Sequence, residues 1–346
     1  LLASLLTLAG LALMNTWGSH WELSLQLGDL AWLLLLAVPI TVLKSGLLTL
    51  HNADGRVEAF NALRLLESLV PLLLFVGLWW IWRDQPLSAA LVSWLGGTVL
   101  VVHGLGEHAG RHAHLATLLN SWGFSVRAYD QQGHGQSAGA RGDMLRPGSL
   151  QADLCRVIDD TRQQPSLMGS PLILLGHSMG GLVVARTLAE QLRPVDAAVL
   201  SSPALGAFPT LFQKMLLATL PRVVPHLRVD NGLKTELVAR DPDVVKAYQA
   251  DPMVHRRIST GLAAWILNNG TQTLEDAAQW SVPTLLLYAG QDKLVNAQAS
   301  ADFAQAALLA VVQAQCFEGM YHEIFNDLYR AQVFTALKRW LMTRFS

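Results

Sequence analysis

Gly176-His177-Ser178-Met179-Gly180 lies between an apolar run at residues 171–175 and a helix-like run at residues 182–192. A strand, a tight turn and a helix in this order are the context in which G-x-S-x-G forms a nucleophile elbow. The serine of such a turn has a strained backbone, and the flanking glycines avoid a clash with the neighbouring strand and helix. The pentapeptide could also be an ordinary glycine-rich turn. In this context it makes Ser178 the candidate nucleophile.

A serine hydroxyl is a weak nucleophile, so it needs a histidine base and a carboxylate that orients the histidine. In this architecture the serine, the acid and the histidine follow one another in that order along the chain. Residues 284–289 predict a buried strand that ends just before Asp292, and His322 lies on the loop after a last strand at residues 311–317. Open α/β sheets bind ligands at these strand ends. Asp292 is therefore the predicted acid and His322 the predicted base.

Two other carboxylates lie close to His322 in the sequence and are alternatives for the acid. They are Glu323, the next residue, and Asp327, a few positions further on. Neither follows the end of a predicted strand between the serine and the histidine, so the sequence favours Asp292.

A further strand, residues 98–102, leads into His103-Gly104-Leu105-Gly106. The backbone N–H groups of Leu105 and of Met179, the residue after the candidate nucleophile, are the expected donors of an oxyanion hole. Two fixed donors aimed at a developing alkoxide each lower the barrier by a few kcal/mol. The sequence thus predicts an α/β fold whose site lies at the carboxyl ends of its strands.

Five stretches carry a resemblance to a known family. They are HGLGEH (103–108) with Gly110 and Arg111, YDQ (129–131) with GHGQS (133–137), GHSMGG (176–181), GQDKLV (290–295) and YHEIFN (321–326). Their order and spacing resemble the monoacylglycerol lipase and lysophospholipase branch of the α/β-hydrolase fold, also called serine aminopeptidase S33-like hydrolases. The resemblance covers roughly residues 97–346. It implies a mostly parallel central sheet flanked by helices, and hydrolysis of glycerol or glycerophospholipid esters with one long acyl chain.

An insertion of more than 80 residues separates the predicted strand at 197–200 from the strand that starts near Pro283. Connections in such folds are usually about 2–6 residues plus a helix. The excess predicts a cap at about residues 203–280. Within it, residues 208–220 are apolar with amphipathic spacing. They could pack on the core, or form a lid whose apolar face meets acyl chains or a membrane; the resemblance favours the lid.

The composition is apolar for a soluble protein, and the excess lies before residue 90. Of the 346 residues, 51% are hydrophobic and 15% charged, and the net charge of −1 gives no basic footprint for nucleic acid. Three runs at residues 1–21, 30–50 and 69–82 approach the length of about 20 apolar residues that spans a bilayer. Tryptophans lie at several of their ends, as interfacial aromatics do. We expect residues 1–84 to hold two or three transmembrane helices and residues 85–346 to form the hydrolase domain.

Other interpretations of the first 84 residues stay open. The runs could be helices packed on the catalytic domain, and a cleaved signal peptide could account for the first of them. Residues 47–60 predict a strand, a turn and a strand, which could belong to the hydrolase sheet or to a membrane loop. Lys44, Arg56 and Arg64 favour a cytoplasmic loop between the second and third runs, which leaves the side of the catalytic domain open. Because the chain begins with Leu1, a segment before it is expected.

No cofactor or metal is expected. His103, His108, His112 and His114 cluster, but no cysteine or carboxylate recurs with ligand spacing. The expected partners are a lipid ester and a membrane, without nucleic acid; no protein partner can be inferred. Two other functions remain: an acyltransferase that uses the same acyl-enzyme, and a non-catalytic membrane protein that binds lipid. A complete Ser-Asp-His set argues against the latter.

Overall fold

The computed structural model describes residues 97–164, 167, 169–207 and 219–345. The predictions for residues 1–84, including the hairpin at 47–60, lie outside the described residues, as does most of the apolar segment 208–220. Among the helices of the described part, none combines the length and the apolarity that crossing a bilayer would require.

Six parallel strands of the described chain form the central sheet, in the order β2-β1-β3-β4-β7-β8. Two further strands, β5 and β6, pair antiparallel outside it. The bounds are β1 Thr98–Val102, β2 Ser125–Tyr129, β3 Leu172–His177, β4 Ala197–Ser201, β5 Arg228–Asp230, β6 Arg257–Ser259, β7 Thr284–Ala289 and β8 Val312–Phe317.

Helices cover both faces of the sheet. Their bounds are α1 Ala113–Ser121, α2 Ser149–Gln163, α3 Met179–Ala189, α4 Pro242–Ala250, α5 Thr260–Glu275, α6 Ala297–Ala306 and α7 Arg330–Phe345. Successive strand residues point to opposite faces, so each strand contributes to two cores. Val99 and Ile173 pack against α1 and α7. Leu100 and Leu174 pack with α2, α3 and α6 on the other face. Strands buried on both faces read as continuous apolar runs, which is why the sequence reveals them.

The sequence misplaces the helix after the elbow by one turn. The expected run at residues 182–192 is a helix that begins at Met179 and ends at Ala189. It begins earlier because Ser178 is itself its N-cap, so the chain enters the helix directly from the turn. It ends earlier because Gln191 has φ 53°, a left-handed conformation that stops the helix.

The described elements between β4 and β7, where the sequence predicts the cap, include β5, β6, α4 and α5; this segment is called the cap below. Backbone hydrogen bonds join it to loops of the sheet: the Ser259 N–H donates to Gly142 O at 2.7 Å, and the His255 N–H donates to Gly106 O at 2.9 Å. Gly142 has φ +71° and lies so close to the Arg257 carbonyl that a Cβ there would overlap it. Glycine at this position therefore lets the cap approach the core.

Candidate active site

Ser178 lies on a strained turn between β3 and α3. Its φ of 52° and ψ of −121° are unusual for a residue with a side chain. The turn is held by the Ser178 N–H, which donates to Ser201 O at 3.0 Å, and by the Ala204 N–H, which donates to Ser178 O at 3.0 Å. A Cβ on Gly176 would lie 2.6 Å from the Gly180 carbonyl oxygen, so the motif glycines permit the close strand–helix contact. This is the geometry of a nucleophile elbow.

His322 and Asp292 form a buried pair beside the elbow. His322 Nδ1 lies 2.7 Å from Asp292 Oδ2. The other carboxylate oxygen, Oδ1, accepts the N–H groups of Leu294 at 2.9 Å and Val295 at 3.0 Å. Burial alone would raise the pKa of Asp292, but the charge and hydrogen bond of His322 and these two N–H groups lower it. The carboxylate is thus ionised and fixed in orientation, and it leaves the far nitrogen of His322, Nε2, directed away from it.

The two alternative acids form ion pairs with arginines instead of hydrogen-bonding to His322. Glu323 makes a bidentate ion pair with Arg111, with N–O distances of 2.6 and 2.9 Å. Asp327 is fully buried and pairs with Arg240, whose Nε lies 2.9 Å from Oδ2. Of the three carboxylates considered from the sequence, Asp292 is the one hydrogen-bonded to His322.

Ser178 and His322 line the same cavity, together with a second imidazole, His177. The described contacts include no hydrogen bond between Ser178 and His322; such bonds are often long before substrate binds. The His177 ring centroid lies 4.9 Å from that of His322. Burial, and then the neighbouring charge of His322, lower the pKa of His177 to about 4. Its Nδ1 lies 3.2 Å from Ser201 Oγ, and no carboxylate among the described residues is hydrogen-bonded to it, so His322 is the better candidate base.

The two residues expected to supply the oxyanion donors lie at the cavity. Leu105 and Met179 both line it, and neither of their N–H groups donates to a residue that the structure describes. Met179 is the first residue of α3, where helix geometry leaves N–H groups without intrahelical partners and the helix dipole favours negative charge. The loop before Leu105 is fixed because the Gly104 N–H donates to Glu107 Oε1 at 2.6 Å. Together the two N–H groups can stabilise an oxyanion formed at Ser178.

Arg111 connects the loop that carries Leu105 to the loop that carries His322. Its Nη1 donates to Glu107 Oε2 at 2.8 Å, and the guanidinium also makes the bidentate pair with Glu323, next to His322. The guanidinium lies 4.5 Å from the centroid of the Tyr248 ring of the cap. One buried cation therefore connects three separate segments around the site. The sequence identifies Arg111 as part of a family motif, but it does not indicate that Arg111 pairs with Glu323, which is 212 positions away.

Replacing Arg111 with methionine should destabilise the protein by about 3–5 kcal/mol, because two buried carboxylates lose their cation. Arg156→Met is the matched control, since Arg156 makes an exposed ion pair with Asp153 at 2.8 Å. The control should cost about 0–1 kcal/mol. Urea unfolding of both variants measures the difference, and equal small losses would contradict the connecting role of Arg111.

The pH dependence of turnover should reveal the raised pKa of His322. Burial lowers this pKa, but the charge and hydrogen bond of Asp292, with smaller contributions from Glu323 and Glu107, raise it above 6.5 overall. The neighbouring His177, if charged, would act in the opposite direction.

Because only the neutral imidazole accepts a proton, activity should be lost on acidification already above pH 6.5. The acid limb of kcat/KM, which reports the free enzyme, measures this. A limb at or below that pH would contradict the raised pKa of His322 and show that burial outweighs the stabilisation of the imidazolium by Asp292.

The cavity has a volume of about 620 Å³. That is within the range of small-molecule sites, which is about 300–1,000 Å³. Ser178 and His322 are part of its wall, and most of the wall is apolar. The aliphatic side chains that the cap contributes to this wall include Leu220, Leu237, Val238, Ile258, Ile266 and Leu267. The arrangement suits a ligand with a polar reacting group and an apolar chain.

The clustered histidines are bound to protein groups. Within the described residues, no three or more potential ligands are grouped to hold a metal ion. The contacts are His103 Nδ1 to Gly104 O, His108 Nε2 to Asp251, His112 Nε2 to Glu107 and His114 Nε2 to Phe325 O, at 2.8, 2.8, 3.3 and 3.2 Å.

These features are typical of an α/β hydrolase: a parallel sheet, a nucleophile elbow, a buried Asp–His pair and a cap. The chain belongs to the Hydrolase_4 family, described as serine aminopeptidase S33, whose sequence profile matches residues 95–329. Family and relatives make it a carboxylic ester hydrolase.

Two curated relatives and one solved structure illustrate the similarity. A monoacylglycerol lipase of Mycolicibacterium smegmatis is 32% identical over 255 residues, which cover 71% of this chain and 88% of that protein. Phospholipase YtpA of Bacillus subtilis is 31% identical, over 75% of this chain and 97% of that protein. The crystal structure of Paleococcus ferrophilus monoacylglycerol lipase aligns with a TM-score of 0.65 and 35% identity, over 72% of this chain and 95% of that chain.

Proposed function

We propose that this protein hydrolyses the carboxylic ester of lipids with one acyl chain, a monoacylglycerol or a lysophospholipid, through an acyl-enzyme on Ser178. The observation that carries the proposal is that Ser178 and His322 line one cavity whose wall is largely apolar, and that His322 is hydrogen-bonded to Asp292 at 2.7 Å. The relatives named as monoacylglycerol lipase and phospholipase support this substrate class.

The proposed reaction has two halves. In the first, His322 Nε2 takes the proton of Ser178 Oγ while Oγ attacks the ester carbonyl, and the N–H groups of Leu105 and Met179 stabilise the oxyanion. The tetrahedral intermediate collapses, and His322 gives its proton to the leaving alcohol. In the second half, a water molecule attacks the acyl group with His322 again as base, which releases the fatty acid and restores Ser178.

Asp292 keeps its charge throughout. Its hydrogen bond to Nδ1 holds the imidazole in the tautomer whose Nε2 can accept a proton, and its charge stabilises the imidazolium. The apolar wall binds the acyl chain, since removing a chain from water is favourable by about 0.8 kcal/mol per buried CH₂.

A substrate panel tests the proposal with the full chain in detergent. It contains a monoacylglycerol, a lysophosphatidylcholine and a triacylglycerol of the same acyl chain, and an aminoacyl p-nitroanilide because the family description is that of an aminopeptidase. We expect release of fatty acid from one or both single-chain lipids and much slower reaction of the others. Cleavage of the anilide alone would contradict the proposal, and lipid binding without cleavage would favour a non-catalytic role.

We also propose that residues 1–84 anchor the enzyme in a bilayer. The support is the sequence: three apolar runs with tryptophans near their ends. The full chain should sediment with membranes, resist extraction by alkaline carbonate and require detergent for release. Full-length protein that stays monomeric in buffer without detergent would contradict the anchor.

A further inference from the structure

Two lysines line the catalytic cavity without a counter-charge. Lys293 follows Asp292 on the loop after β7, and Lys234 lies on the cap between β5 and the helical turn Thr235–Leu237. Both residues are exposed. Neither side chain forms an ion pair or a hydrogen bond with another residue that the structure describes, whereas the cap lysine Lys246, which does not line the cavity, lies 3.8 Å from Asp243.

The carboxylates around the cavity are already paired. Glu107 and Glu323 share Arg111, and Asp230 lies 3.1 Å from Arg256. Asp292 is occupied by His322 and two backbone N–H groups. The ammonium groups of Lys234 and Lys293 are therefore not committed to these carboxylates and remain available to a ligand.

The position of Lys293 indicates which part of the substrate its ammonium group would contact. In ester cleavage His322 protonates the leaving alcohol, so the head group lies on the His322 side of the ester. Lys293 belongs to the loop whose Asp292 holds His322. A lysine has a flexible four-carbon stem and a compact ammonium group, which can reach a phosphate several bonds away from the reacting ester.

We propose that Lys234 and Lys293 bind an anionic head group, so that the enzyme favours lysophospholipids with a negatively charged phosphate head group over the neutral monoacylglycerol with the same chain. The inference rests on the proposed function and names its substrate class. The contact is solvated, so it is weakened by salt and contributes to the choice of substrate more than to the chemical step.

The test compares octanoylglycerol with octanoylglycerol phosphate, both below the concentration at which micelles form, so that attraction to a charged surface plays no part. The measured quantity is the ratio of kcat/KM for the phosphate to kcat/KM for the neutral ester. Each single change, Lys234→Met or Lys293→Met, should lower this ratio about threefold, and the double variant about tenfold, as expected for solvated charge pairs. Lys246→Met should leave the ratio unchanged.

Added KCl gives a second measurement: it should lower the ratio for the unaltered protein and have little effect on the ratio for the double variant. If both esters are hydrolysed but neither the lysine variants nor salt changes the ratio, the inference is wrong and the proposed function stands. Hydrolysis of neither ester would contradict the proposed function, and the inference with it.

Discussion

Ser178→Ala is expected to lower turnover by about 10⁴–10⁶-fold, because the members of a catalytic triad act as a unit. The change removes one oxygen from a turn whose backbone is held by Ser201 and Ala204, so folding should be preserved. Steady-state hydrolysis of a monoacylglycerol measures the loss. Normal activity in the folded variant would remove Ser178 from the mechanism.

Ser202 supplies a matched control for Ser178. It also has positive φ, 40°, and is buried, but it does not line the cavity. A fluorophosphonate should label Ser178 in the unaltered protein and in Ser202→Ala, and should label nothing in Ser178→Ala. Labelling that is lost in Ser202→Ala and kept in Ser178→Ala would show that Ser202 is the reactive serine.

Asp292→Asn should cost about 10⁴-fold in kcat with little change in substrate binding. Asparagine keeps the shape but can donate to Nδ1, which holds the imidazole in the wrong tautomer. Losing the negative charge should also lower the pKa of His322, so the acid limb of the residual activity should move to lower pH, in the sense opposite to the shift that Asp292 causes. Turnover across pH measures both effects.

Asp327→Asn and Glu323→Gln are the comparison variants, since these carboxylates pair with Arg240 and Arg111. They should lower stability more than the chemical step. If Asp292→Asn were fully active while one of these variants was inactive with its fold preserved, Asp292 would not be the acid.

The elements that the sequence predicts well are those with local signals. β1 and β7 are continuous apolar strands, and the elbow is encoded by five consecutive residues. Asp292 and His322 could be found because each follows a strand at the same edge of the sheet, and the structure brings them to 2.7 Å. The order of serine, acid and histidine along the chain, each at the end of a strand, therefore predicts that the three residues meet in the folded protein.

The features that the sequence does not reveal depend on distant segments. The pairing of Arg111 with Glu323, across 212 positions, has no periodicity or motif that would indicate it. The docking of the cap depends on backbone groups, such as the Ser259 N–H on Gly142 O, which any residue type but proline could supply. Lys234 and Lys293 are ordinary surface residues in the sequence, and only the shared cavity relates them.

The acyl-enzyme on Ser178 is the central claim, and trapping it is the most direct test. Mixing the full chain with p-nitrophenyl octanoate, whose leaving group needs no protonation, should make acylation faster than deacylation. Acid quenching at early times followed by peptide mass analysis should then find the octanoyl group on the peptide that contains Ser178. An octanoyl group on another residue, or continued turnover with no acylated peptide at any time, would contradict the account.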